Sequence, residues 1–238
     1  MIAVIDLGGT NTKYGLVESG KIIVANSIPA EPQGGLEKHL NKVVELIDDL
    51  CKGFGKEISD CHGIGLLSTG LVNNKDMLVL STNEKYNDAK GFDFKNWALE
   101  KTGLELRMEN DAKGALLGEY HYGAGRDSDN VMMITFGTGI GTAVISEGKL
   151  LTGSNFSGGN LGGHILVRSG GRQCTCGARG CLEAEASGWA LPIIAKEHLL
   201  FSSSSLKNEA VIGFKEMLEH AEQGDECAID IRRHCFQI

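Results

Sequence analysis

The chain has 238 residues, 42% of them hydrophobic and 23% charged, with a formal net charge of -8. This length accommodates two modest domains with separate cores, and the acidic balance argues against a nucleic-acid surface. No run approaches the roughly 18 apolar residues of a membrane span, and the N-terminus opens in a strand pattern rather than a basic-then-apolar signal segment, so no membrane and a cytoplasmic location are expected.

Residues 2–7, 13–18 and 21–27 read as an antiparallel meander, with Ser19-Gly20 as the second turn. Glu31-Pro32-Gln33-Gly34-Gly35 breaks the pattern. Leu36, Leu40, Val43, Val44, Ile47 and Leu50 recur at helical spacing and predict an amphipathic helix over 36–52. Gly63–Leu67 is a short buried strand leading into Ser68-Thr69-Gly70, and Met77–Leu80 is a further strand. Residues 81–93 form a polar loop and Phe94–Lys101 a short helix. Leu104–Met108 is a strand that runs into Glu109-Asn110-Asp111-Ala112. A helix follows through Tyr122, with Ala112, Ala115, Leu116 and Tyr120 on one side.

Val131–Phe136 is a strongly apolar strand, Gly137–Gly141 a turn, and Thr142–Ser146 the returning strand. The second half thus opens with strand, glycine turn and strand, as the first does. Residues 147–181 are glycine-rich and irregular. Leu182–Leu199 reads as a helix that Pro192 kinks or splits. Phe201–Ser205 is a loop and Ala210–Gln223 is helical.

Chemistry is concentrated at four places. The first is Asp6-Leu7-Gly8-Gly9-Thr10-Asn11-Thr12-Lys13, between two strands. Paired glycines permit positive φ and leave no Cβ in the way of a ligand. Backbone N–H groups and the Thr10 hydroxyl then suit an anion, and Asp6 a metal ion carried by that anion. No helix follows closely, so this is not the dinucleotide fingerprint. The second is Gly137-Thr138-Gly139-Ile140-Gly141, and two such turns can clasp a nucleotide's phosphates from both sides. A plain hairpin is the competing reading of each turn.

The third place is Asn110-Asp111, where a strand ends and a helix begins, a usual position for ligand contacts in α/β folds. Both residue types are also good helix caps. The helix N-terminus favours an ionised Asp111, which in that state can accept a proton from a substrate hydroxyl attacking a phosphoryl group. The fourth is His164 with Cys174, Cys176 and Cys181. The chain has seven cysteines and no export signal, so they read as thiols or metal ligands rather than disulfides. Three cysteines within eight residues and a nearby histidine match a closed tetrahedral zinc set, structural rather than catalytic. Cys51, Cys61, Cys227 and Cys235 have no such spacing. Glu183 follows the cluster, either aimed at a ligand by the metal-fixed loop or exposed at a helix start.

Taken in order, Asp6–Lys13, Glu109–Ala112, Gly137–Gly141, Gly163-His164, and Cys174–Glu183 with Ala186-Ser187 resemble the ROK family (repressor, open reading frame, kinase). The resemblance implies an α/β fold with two ribonuclease-H-like domains of the actin and hexokinase type, with sugar and ATP in the cleft between them. The expected domains are 1–110 and 111–238, the latter carrying the zinc loop. It further implies that Asp6, Gly8, Gly9, Thr10, Lys13, Gly137, Thr138 and Gly139 bind ATP with Mg²⁺ and that Asp111 is the catalytic base. Asn110, Glu183, His164, Asn83 and Asn160 are the implied sugar contacts, and His164, Cys174, Cys176 and Cys181 hold structural zinc. Family regulators carry a helix-turn-helix ahead of the first strand. This chain starts at that strand and so is similar to the sugar kinase branch, with no nucleic-acid partner expected.

Two departures bear on this expectation. Family members usually place a sugar-binding glutamate three residues before the zinc histidine, whereas here Leu161 stands there with Asn160 before it. Family kinases also run further, so the C-terminal domain is expected to be truncated, with a homodimer expected only if that end is complete. A sugar-binding or regulatory protein without catalysis, or an inactive shortened kinase, is the competing expectation.

Overall fold

A computed structural model describes residues 1–82 and 86–238 of this α/β chain. Two compact units emerge: Met1–Val131 with Ile145–Gly158, and Met132–Val144 with Gly159–Ile238. This division differs from the one expected at residue 110, because the helix that begins at Asp111 packs on the strands before it.

The first unit is built on a five-stranded sheet. Strands β1 (Ile2–Leu7), β2 (Asn11–Glu18) and β3 (Lys21–Pro29) form the expected antiparallel meander. Ser19 and Gly20 both take positive φ, 50° and 76°, as a two-residue hairpin turn requires. Strands β4 (Ile64–Ser68) and β7 (Leu106–Asn110) run parallel to β1, and the sheet order is β3-β2-β1-β4-β7. A hairpin of β5 (Leu71–Asn73) and β6 (Leu78–Ser81) stands apart; its first strand is absent from the sequence reading because only three residues pair.

Helix α1 spans Leu36–Lys52, as the periodicity predicts, and buries Leu36, Leu40, Val43, Val44, Ile47 and Cys51. Each fully buried aliphatic side chain contributes about 1.5–3 kcal/mol. Gly35 offers α1 no capping side chain, and Asp88 serves instead, accepting from the Leu36 N–H at 2.7 Å. Helix α2 (Phe94–Thr102) is capped by Asp93 and ended by left-handed Gly103. Helix α3 (Asp111–Tyr122) buries Ala112, Lys113 and Leu116, while Ala115, expected on the inner side, is exposed.

Strands β8 (Val131–Phe136) and β9 (Ile140–Ser146) flank the second glycine turn, most of both in the second unit; the last two residues of β9, Ile145 and Ser146, belong to the first unit and pair within it with β10 (Lys149–Leu150). Strand β8 is apolar but half covered, with Met132, Ile134 and Phe136 exposed. The helix expected over 182–199 is split into α4 (Leu182–Ala186) and α5 (Leu191–Glu197), with Pro192 in the first turn of α5. Proline is tolerated there because the missing N–H has no intrahelical partner. Helix α6 begins at Phe214, four residues later than the pattern suggests, and ends at Glu222. Helix α7 (Glu226–Gln237), unread in the sequence, packs against α6 and α5. Among the described residues no helix is long and apolar enough to cross a membrane.

Candidate active site and metal centre

Parallel pairing brings three strand ends to one edge. Asp6 is in register with Leu67 and Leu67 with Glu109; the next row is Leu7, Ser68 and Asn110. Asp6 and Asn110-Asp111 therefore meet at the carboxyl edge of the sheet, where open α/β sheets bind ligands.

Asn110 is the N-cap of α3, its Oδ1 accepting from the Lys113 N–H at 3.1 Å. Its Nδ2 donates to the Gly70 carbonyl at 2.9 Å and to Asp111 Oδ1 at 2.8 Å. Its amide hydrogens are thus spent inside the protein. Asp111 Oδ1 also accepts from the Ala112 N–H at 2.9 Å. Both of these bonds fall on Oδ1.

Burial raises the Asp111 pKa above the usual carboxylate value, and the charge of Asp6 raises it further, against the opposing hydrogen bonds. The helix N-terminus was expected to favour the ionised acid; burial outweighs it. Glu109 accepts from the Asn110 N–H at 2.9 Å and from Asn74 Nδ2 at 2.5 Å, which fixes the backbone just before the acid.

Asp6 also faces Lys13 across the hairpin, with Nζ 3.5 Å from Oδ2. Gly8-Gly9-Thr10 is the turn between them. Gly8 is not left-handed; it is required because a Cβ there would meet the Asn11 carbonyl oxygen at 2.5 Å.

The second turn belongs to the second unit. Its Gly137 N–H donates to the Gly139 carbonyl at 3.0 Å, and the Gly137 and Thr138 carbonyls accept from the Gly188 and Trp189 amides. Glu183 is buried. Its Oε2 accepts from the Ile140 N–H at 3.0 Å, and its Oε1 lies 3.5 Å from Trp189 Nε1. The amides of Gly137 and Ile140 are therefore engaged, leaving a narrower cradle than the glycine pattern suggests. A side chain at Gly139 would collide with the Glu183 carboxylate. The alternative of an exposed Glu183 does not hold.

Four donor atoms gather where the cysteine spacing placed them. His164, Cys174, Cys176 and Cys181 have ligand atoms all within 4.8 Å of one another. His164 Nδ1 lies 3.6 Å from Cys174 Sγ, and Cys176 Sγ lies 3.7 Å from Cys181 Sγ. Tetrahedral zinc with arms of about 2.3 Å separates its sulfurs by about 3.8 Å, so the set fits. The loop is braced by Arg172, which donates to buried Glu185 through its N–H and Nη1, both at 2.6 Å.

Among the described residues Asn160 Oδ1 is buried without a hydrogen-bond partner, as an acceptor awaiting a donor would be. Leu161 beside it is exposed. Asn83 lies outside the described residues. Sequence reasoning missed Lys113, which is wholly buried, and Trp189. Only Lys113 left a signal, since it shares the inner side of α3 with Ala112 and Leu116.

These features define an α/β protein with an acid at the carboxyl edge of a mixed sheet and a cysteine-histidine cluster that could hold a metal ion. The chain belongs to the ROK family, whose model matches residues 2–237. A glucokinase of Thermotoga maritima is 33% identical over 234 residues, spanning 96% of this chain and 72% of that protein. An N-acetylmannosamine kinase of Citrobacter koseri is 29% identical, spanning 98% of this chain and 74% of that one. The solved ROK family glucokinase from Streptomyces griseus, in complex with glucose and AMPPNP, superposes with a TM-score of 0.81 at 30% identity, covering 98% of this chain and 75% of its own.

Proposed function

We propose that this protein transfers the terminal phosphoryl group of ATP to a hydroxyl of a hexose or hexose derivative, with Asp111 as general base. The observation that carries this reading is the Asp111 carboxyl: its Oδ1 is fixed by Asn110 and the Ala112 amide, while its Oδ2 accepts none of these bonds. Its raised pKa brings it nearer the working pH, where a base is both available and strong enough to take a proton.

In this reading Asp111 Oδ2 takes the hydroxyl proton as the sugar oxygen attacks phosphorus. The Gly8–Thr10 turn with Lys13, in the first unit, suits a phosphate, and so by itself does the Gly137–Gly139 turn of the second. Asp6, partly exposed, suits Mg²⁺, which usually binds through one or two carboxylates plus substrate phosphates. When bound, that ion neutralises charge developing on the phosphates. Asn160, through its unpartnered Oδ1, accepts from a sugar hydroxyl. His164 presents Nδ1 to the metal set, which leaves Nε2 for the sugar, and Glu183 gives the sugar a carboxylate once it releases Ile140. Zinc held by His164, Cys174, Cys176 and Cys181 closes its own coordination sphere and acts structurally.

The test is a panel of glucose, fructose, N-acetylmannosamine, N-acetylglucosamine and a β-glucoside, each incubated with the protein, ATP and Mg²⁺. Formation of a sugar phosphate with stoichiometric ADP is expected for at least one. No product from any hexose counts against the reading.

One observation favours a second reading, sugar binding without transfer: the engaged amides of Gly137 and Ile140 reduce what the second turn can offer a phosphate. Calorimetry separates the two, since this alternative requires a sugar-binding heat with no heat for ATP.

A further inference from the structure

Lys113 is a buried cation that the proposed chemistry does not use. It is the third residue of α3, two beyond Asp111, and none of it is exposed. Burial pulls its pKa down, with Glu109 opposing. An ammonium held in such a place is costly unless its partners are fixed. Its hydrogen-bond partner is a main-chain atom far along the chain: Nζ donates to the Phe156 carbonyl at 2.8 Å.

Phe156 has a φ of 62°, a left-handed conformation that a bulky residue seldom takes unaided. It lies in the segment Thr152–Gly158, which is closed at its base by the Gly158 N–H donating to the Thr152 carbonyl at 2.8 Å. Gly158 must be glycine for that closure, because a Cβ there would meet the Thr152 carbonyl carbon at 2.8 Å. The loop is therefore tied at two points, one of them by the helix that carries Asp111. Between the ties it presents exposed Ser154 and Asn155, side chains suited to hydroxyl groups.

We propose that Lys113 is a positioning residue that pins the Thr152–Gly158 loop to the first turn of α3, fixing Ser154 and Asn155 relative to Asp111 so that the loop selects the polyhydroxylated substrate. This rests on the reading of Asp111 as the base toward a sugar hydroxyl. A methionine would fill the same volume without a charge to bury, so Lys113→Met removes the tie while sparing the packing.

The test joins hydrogen exchange to steady-state kinetics on the full chain. In Lys113→Met, amide exchange over 153–158 should rise by about tenfold or more while α1 stays protected. The sugar KM should rise by about tenfold, with the ATP KM and kcat within about threefold of the parent. Lys113→Gln, which keeps a donor, should recover part of the sugar KM. Unchanged exchange in the loop, or loosened exchange with an unchanged sugar KM, overturns the proposal. If Lys113→Met does not fold, the unmodified protein decides: the phosphorylated hexose should slow exchange over 153–158, and no slowing overturns the proposal. If the unmodified protein phosphorylates no hexose, the kinase reading fails, and unchanged loop exchange in Lys113→Met still refutes the tie on its own.

Discussion

Asp6 and Asp111, 105 positions apart in the chain, are electrostatic neighbours at the carboxyl edge of one sheet: burial first, and the charge of Asp6 after it, raise the pKa of Asp111. The pairing of β1 with β4 and of β4 with β7 creates this proximity, since it sets Asp6 in the same row as Glu109. The proposed base and a candidate metal ligand are thus brought together by strand register.

This neighbour effect predicts a pH shift. In Asp6→Asn the like charge is gone, so the Asp111 pKa falls and the acidic limb of kcat/KM against pH moves to lower pH. The profile, taken at saturating Mg²⁺ to offset a lost ligand, checks this. An acidic limb that stays in place or moves up contradicts it.

The same burial makes the Asp111 carboxylate a cost to folding. Its folded pKa lies above the unfolded one, so its contribution is fully present below the unfolded pKa, about 3.9, and is lost as pH rises through the folded value. Asp111→Asn should therefore raise Tm at pH 7 relative to the parent, with the gain shrinking toward pH 4. Thermal unfolding at the two pH values measures the difference. Equal shifts at both would show that the acid is not held by burial.

Asp225 gives the opposite sign in the second unit. Burial alone would raise its pKa, but bonds from Ser205, Ala228 and Ser204 prevail and bring it to about 2. It caps α7 through the Ala228 N–H at 3.1 Å. Its stabilisation is present above the unfolded pKa and is lost as pH falls toward 2. Asp225→Ala should cost about 1–2 kcal/mol at pH 7, read by denaturant unfolding, and much less near pH 2.

Zinc is expected at one equivalent per chain in protein purified without chelator. Removing it should expose the segment from His164 to Cys181 to protease, because folding of such loops is coupled to metal binding. Cys181→Ser should lower the metal content in the same way. Well under one equivalent in the unmodified protein contradicts the assignment.

Much of this fold is legible in the sequence where local pattern and tertiary packing agree. Helix α1 was bounded at both ends because its apolar spacing coincides with the buried face, and the metal set was found because its ligands are close in sequence and few other structures need them. What stayed hidden depends on distant partners. Asp88 caps α1 from 52 residues away. Glu183 engages the Ile140 amide across 43 residues. Lys113 donates to the Phe156 carbonyl 43 residues further on. Helix α7 escaped notice because its apolar residues are interleaved with Asp230, Arg232 and Arg233.

The most direct measurement is turnover of Asp111→Asn on the hexose that the parent phosphorylates, with sugar binding followed by calorimetry. The amide keeps the size of the side chain and loses its basicity, so kcat should fall by about 10²–10⁴-fold while the sugar dissociation constant stays within about threefold. A variant that turns over at the parental rate would show that Asp111 is not the base.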